Sequence, residues 1–137
     1  MASSAVDAPI TMRLPFAAAS VAVARQRLQT WVREMGGSRE AVEDARIVIS
    51  ELVGNSVRHA RPLPDGEILV TWALSERADR TVEVSVTDGG SGTRPRKVHA
   101  PSSALAGRGM ALVECLAQDW WTERSGSRST VHARLKV

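Results

Sequence analysis

The chain has 137 residues, of which 43% are hydrophobic and 24% are charged, and its formal net charge is +3. This balance is typical of one folded domain rather than a disordered chain, and no stretch approaches the ~20 consecutive apolar residues that a membrane span needs. The arginines that make the chain basic are spread from Arg13 to Arg134 without a dense run, so we expect neither direct nucleic-acid binding nor membrane association.

Residues 1–11 are mostly small and show no periodicity of apolar side chains. They lack the basic-then-apolar order of a secretory signal, and the single cysteine, Cys115, excludes a disulfide within the chain. We therefore predict a flexible tail over residues 1–11, one domain over residues 12–137 and a cytoplasmic location.

An edge strand and two helices are predicted for the first half of the domain. Pro15 has no backbone N–H, which confines the stretch Arg13–Phe16 to the edge of a sheet. Ser38 is a suitable N-cap for a helix from Arg39 to about Ala60, which Arg61-Pro62 ends. Between the edge strand and Ser38 another helix, the first in the chain, is predicted from apolar residues at helical spacing, namely Val21, Ala24, Leu28, Trp31, Val32 and Met35.

Two hairpins and a third helix are predicted for the second half. Strands at Glu67–Leu74 and Thr81–Thr87 are rich in β-branched residues and are joined by a short link. A long loop then leads to a helix from about Arg108 to Gln118, and strands at Asp119–Arg124 and Ser129–Val137 flank a Ser-Gly-Ser turn. Helices on one face of a mixed, mainly antiparallel sheet make the fold class α+β, a two-layer α/β sandwich.

Glu51 and Asn55 are four residues apart on the second predicted helix and so share one face of it. The amide oxygen of Asn55 is a suitable ligand for Mg²⁺ beside phosphate oxygens and water, and Glu51 is placed to accept a proton from an attacking hydroxyl group. Such a pair alone is more typical of the exposed polar flank of an amphipathic helix, because Glu and Asn are common on helix surfaces.

Asp88 ends a valine-rich strand and begins the segment Asp-Gly-Gly-Ser-Gly. An Asp-Gly pair after a strand is a common turn, but Gly90 and Gly92 together favour a backbone that lies against a flat ligand. The carboxylate of Asp88 is then placed to accept a hydrogen bond from the exocyclic amine of adenine.

Gly107, Arg108 and Gly109 precede the third predicted helix. Free backbone N–H groups at a helix N-terminus, together with the helix dipole, suit a phosphate group. A plain junction between a loop and a helix explains the same residues equally well.

The three segments Glu51-x-x-x-Asn55, Asp88-x-Gly90-x-Gly92 and Gly107-Arg108-Gly109-Met110 occur in this order along the chain. As an ordered set they resemble the ATP-binding boxes of the GHKL superfamily. Within that superfamily the chain looks most like the small bacterial serine/threonine kinases that act as anti-sigma factors.

The resemblance implies a Bergerat-type sandwich that binds ATP and Mg²⁺. It implies that Asp88 contacts adenine, that Asn55 binds the metal ion and that Glu51 is the general base. The other nucleotide-binding positions that it implies are Gly90, Gly92, Gly107, Arg108, Gly109, Met110 and Thr130. Such proteins sequester a sigma factor, commonly as homodimers, and phosphorylate a STAS-type antagonist protein.

An alternative is a non-catalytic regulatory module, in which ATP or ADP occupancy controls the affinity for a protein partner without phosphate transfer. The presence of Glu51 favours the kinase, because a binding-only protein does not need a general base.

Overall fold

The computed structural model describes residues 9–76, 79–91 and 107–137 of the chain. Two helices lie between the first two strands, and a third helix precedes the final hairpin. In chain order the elements are β1 (Ile10–Pro15), α1 (Ala19–Glu34), α2 (Arg39–His59), β2 (Glu67–Ser75), β3 (Thr81–Asp88), α3 (Gly107–Leu116), β4 (Asp119–Ser125) and β5 (Arg128–Lys136).

The five strands form one sheet in the order β1-β2-β3-β5-β4, and each pair of neighbours is antiparallel. Alternate residues of β2 are buried and the residues between them are half-buried, so one face of the sheet carries the core. Side chains of all three helices join the same core, among them Leu28, Leu52 and Val113. The predicted α+β sandwich is confirmed.

The second helix follows the sequence-based prediction closely. Its N-cap is Ser38, whose Oγ accepts a hydrogen bond from the backbone N–H of Ala41 at 3.0 Å. The helix ends at His59, one residue before the predicted end, and Val48, Ile49 and Val53 on its apolar face are fully buried. This burial fixes which face of α2 turns away from the core.

The first strand begins three residues earlier and ends one residue earlier than the predicted Arg13–Phe16. β1 begins at Ile10, because backbone pairing with Trp72 and Thr71 of β2 extends the strand to Ile10 and Thr11, which were predicted to belong to the tail. As predicted, β1 is an edge strand, and Pro15 is its last residue. Residues 1–8 of the predicted tail lie outside the described residues.

Within the described ranges, none of the helices combines the length and the apolar character that crossing a membrane requires.

Candidate functional site

Glu51 and Asn55 are half-buried side chains on successive turns of α2. The residues between them include Leu52 and Val53, which are buried in the core, so the polar pair lies to one side of the apolar face. Among the described residues, none forms a hydrogen bond or an ion pair with either side chain. Within the described part of the molecule, both polar groups are therefore available to bind a ligand.

Asp88, the last residue of β3, is a buried carboxylate with only 5% of its surface exposed. The hydroxyl group of Ser56, which directly follows Asn55 on α2, donates to its Oδ2 at 2.5 Å. The backbone N–H of Gly90 donates to its Oδ1 at 2.7 Å. These contacts join the polar face of α2 to the end of β3. Sequence reasoning missed Ser56, because nothing in the pattern of α2 indicated which strand would face it.

Burial raises the pKa of the Asp88 carboxyl group above its ordinary value of 3.8, while the hydrogen bonds from Ser56 and Gly90 act in the opposite direction. A carboxylate has about four acceptor positions, of which these two donors occupy one on each oxygen. The remaining acceptor positions suit a ligand that offers an N–H group.

Gly89 and Gly90 are packed against the backbone of the protein itself. The N–H of Gly89 donates to the carbonyl oxygen of Arg61 at 2.8 Å, and the N–H of Arg61 donates to that of Gly90 at 2.9 Å. Gly90 has a φ of +87°, and a Cβ atom there would lie 2.5 Å from the carbonyl oxygen of Ser127. Close chain packing therefore explains why glycine stands at position 90, and ligand contact by Gly90 stays a prediction. Gly92 lies outside the described residues.

The pairing of β3 with β5 decides which residue of β5 shares a face of the sheet with Asp88. Thr130 lies opposite Thr87, and their hydroxyl groups are 2.8 Å apart on the face of the sheet that turns away from the helices. The residue opposite Asp88 is Ser129, which is 7% exposed and lies on the helix face with Asp88. Thr130 therefore lies on the opposite face of the sheet from Asp88, because side chains of a strand alternate and a shift of one residue reverses the face.

A signal for Ser129 was present in the sequence. Val131, Ala133 and Leu135 alternate along β5, and Ala133 and Leu135 are buried in the core. Counting back by two from Val131 gives Ser129, not Thr130. In the described part of the chain the hydroxyl group of Ser129 has no hydrogen-bond partner, so it is a further candidate contact for a ligand at Asp88.

The predicted phosphate-binding segment forms the first turn of α3, which begins at Gly107. Met110 is 3% exposed and belongs to the hydrophobic core, so packing explains its apolar character. The helix packs against α2, which places its N-terminal turn on the same side of the sheet as Glu51 and Asn55. Most of the long loop predicted before this helix lies outside the described residues.

Side chains that bind metal ions do not cluster in the described ranges. No group of three or more His, Cys, Asp or Glu residues there could hold an ion. A hard cation at Asn55 would therefore take most of its oxygen ligands from phosphate groups and water, which is the usual coordination of Mg²⁺ in phosphate sites.

Comparison with known proteins shows similarity over nearly the whole chain. The family described as the histidine kinase-like ATPase domain matches residues 14–135. A protein of Listeria monocytogenes serotype 4a named serine-protein kinase RsbW is 34% identical over 122 residues, which cover 80% of this chain and 76% of that protein. A Bacillus mycoides protein of the same name is 32% identical over 121 residues, covering 80% and 74% of the two chains.

A solved structure supports the fold independently. It contains the RsbU and RsbW domains of a Mycobacterium tuberculosis protein and matches with a TM-score of 0.72 at 23% identity. The match covers 95% of this chain but only 32% of that larger chain. At this level of identity the likeness shows a common fold.

Proposed function

The chain belongs to the histidine kinase-like ATPase domain family, and from this premise we propose that it binds ATP and phosphorylates a serine or threonine residue of another protein. The observation that carries the proposal is the buried Asp88 carboxylate, held by Ser56 beside two polar side chains of α2 that have no partner among the described residues. The names of the similar Listeria and Bacillus proteins support a serine-protein kinase.

In this proposal Asp88 recognises the adenine base. Its carboxylate accepts a hydrogen bond from the exocyclic amine, which guanine does not carry at the same ring position. Ser129 lies opposite on the same face and contributes a hydroxyl group beside the base. A base bound there would supply a third donor to a carboxylate that is only 5% exposed and already accepts hydrogen bonds from Ser56 and Gly90.

The phosphate groups are assigned to the polar face of α2 and the N-terminal turn of α3. Asn55 offers its amide oxygen to Mg²⁺, which suits this ion because the amide is a neutral oxygen donor with no competing partner among the described residues. When bound, the ion would supply positive charge at the phosphate oxygens. Gly107, Arg108 and Gly109 are proposed to offer backbone N–H groups to the same phosphates.

Glu51 is proposed as the general base. The hydroxyl oxygen of the acceptor attacks the γ-phosphorus, the bond from that phosphorus to the bridging oxygen breaks, and ADP leaves. The hydroxyl proton passes to the Glu51 carboxylate as the new bond forms. Asn55, one helical turn away, holds the phosphate end so that this proton is within reach.

The proposal extends to the partners. An anti-sigma-factor kinase of this kind would sequester a sigma factor and would phosphorylate a STAS-type antagonist protein. A homodimer and a cytoplasmic location belong to the same proposal and rest on the sequence resemblance.

The test uses ATP labelled at the γ-phosphate and the purified STAS-domain proteins of the same organism. Glu51→Gln should abolish transfer while ATP affinity, measured by calorimetry with Mg²⁺, changes by less than about threefold. Glu40→Gln, which changes an exposed glutamate in the first turn of α2, is the matched control and should transfer normally.

Each other outcome has a definite meaning. ATP binding without transfer by the natural protein would replace the kinase with the non-catalytic regulatory module. Absence of ATP binding by the natural protein would overturn both functions.

A further inference from the structure

The hydroxyl group of Ser56 makes a hydrogen bond that is unusual for a serine within a helix. Such hydroxyl groups commonly bond to the carbonyl oxygen one turn earlier, and Ser50 of α2 does this with Arg46 at 2.6 Å. Ser56 instead reaches out of the helix to Asp88, 32 residues further along the chain. Both side chains are buried, Ser56 with 6% and Asp88 with 5% of their surface exposed.

This contact determines the orientation of the carboxylate. The terminal torsion of an aspartate has broad, roughly twofold preferences, so hydrogen bonds decide where its two oxygens point. Gly90 holds Oδ1 from within the same turn, and Ser56 holds Oδ2 from α2. Without Ser56, only the local bond from Gly90 would restrain the carboxylate.

We propose that Ser56 is a positioning residue for base recognition, which fixes the Asp88 carboxylate so that the site prefers a purine with an amino group at the ring position where adenine carries it. The inference rests on the proposed function, because it requires that a nucleotide binds at Asp88. In this inference two residues determine the specificity for the base: Asp88, which contacts it, and Ser56 of α2, which holds Asp88.

A fixed acceptor discriminates more strongly than a mobile one. When a ligand lacks the amino group, the acceptor positions of the fixed carboxylate that face the ligand are left without a donor, and the cost appears as lost affinity. A carboxylate that turns freely would recover part of this cost by finding another donor or water. The Ser56 hydrogen bond also lowers the pKa of Asp88 against the effect of burial and so favours the ionised form that accepts hydrogen bonds.

The experiment compares ATP with purine riboside triphosphate, which lacks the exocyclic amine, by calorimetry on the full chain. We expect Ser56→Ala to weaken ATP binding by about three- to tenfold, the size of one hydrogen bond, and to change the affinity for the analogue by less than about twofold. In an Asp88→Asn background, Ser56→Ala should have no such selective effect. Ser50→Ala removes a hydroxyl group from the same helix away from Asp88 and should leave both affinities unchanged.

The outcomes separate this inference from the proposed function. Equal weakening of ATP and analogue by Ser56→Ala, or no weakening of either, would overturn the positioning role while ATP binding by the natural protein stands. Failure of the natural protein to bind ATP would overturn both. Should Ser56→Ala not fold, Ser56→Cys places a weaker donor at the same position and should show the same selectivity with a smaller effect.

Discussion

Asp88 and Ser129 lie directly opposite each other on the neighbouring strands β3 and β5, and both are buried on the helix face of the sheet. Opposite residues of an antiparallel pair have Cβ atoms about 5 Å apart, so a ligand group that reaches the carboxylate also lies near the serine hydroxyl group. The next pair along the strands, Thr87 and Thr130, lies on the other face.

This register predicts that substitutions at two adjacent residues affect different properties, one the affinity for ATP and the other the stability of the fold. Ser129→Ala should weaken ATP binding by about three- to tenfold, because it removes a hydroxyl group beside the proposed base. Thr130→Ala should leave ATP affinity unchanged and lower the free energy of unfolding by about 1 kcal/mol, because it removes the 2.8 Å bond to Thr87. Calorimetry and urea unfolding measure the two effects. A loss of ATP affinity in Thr130→Ala alone would contradict the placement of Ser129 in the site.

Gly90 should tolerate a side chain less well than another glycine with positive φ. Alanine at either Gly90 or Gly126 must adopt a left-handed backbone, which costs about 1–2 kcal/mol. At Gly126, with a φ of +61°, no neighbouring atom lies within 4 Å of the new Cβ, whereas at Gly90 the carbonyl oxygen of Ser127 lies at 2.5 Å. Gly90→Ala should therefore be less stable than Gly126→Ala by a further ~1–3 kcal/mol in urea unfolding. Equal stabilities would show that the turn adjusts without cost.

The raised pKa of Asp88 predicts a pH dependence of stability. Between the ordinary value of 3.8 and the higher pKa of the folded state, the folded protein binds more protons at Asp88 than the unfolded chain does. The contribution of Asp88 to the free energy of unfolding therefore decreases as the pH rises through this window.

Asp88→Asn removes this titration and is the reference for it. The unfolding free energy of the natural protein minus that of Asp88→Asn should fall as the pH rises from about 4 towards neutrality. Urea unfolding at a series of pH values measures this difference. A difference that stays constant, or rises with pH, would mean that burial does not dominate the titration of Asp88.

Asn55→Ala should remove the effect of Mg²⁺ on ATP binding. We expect Mg²⁺ to strengthen ATP binding by the natural protein, because the amide oxygen completes the coordination of an ion held by the phosphates. In Asn55→Ala the affinity with Mg²⁺ should fall to that measured in the presence of EDTA. Gln26→Ala, which removes an exposed side-chain amide from α1, should retain the full effect. Retention of the effect in Asn55→Ala would remove this residue from the metal site.

Helical patterns carried most of the predictive information in the first half of the chain. The N-cap at Ser38 and the buried stripe of α2 depend on residues within a few positions of one another, so local sequence suffices to place them. The same pattern placed Glu51 and Asn55 beside the apolar stripe, where the structure has them half-buried. The start of β1 was predicted at Arg13, three residues late, because Ile10 joins the strand through pairing with Trp72, which is 62 residues away.

Local periodicity and turn chemistry were enough to predict the helices and hairpins, the α+β class and the set of polar residues from which a nucleotide site is proposed. Three features emerge only in the folded molecule: Ser56 holds Asp88, Ser129 rather than Thr130 shares the face of Asp88, and Gly89 and Gly90 pack against Arg61, Pro62 and Ser127. Each of these contacts joins residues far apart in the chain. They depend on strand register and on the packing of α2 across the sheet, which local patterns do not encode.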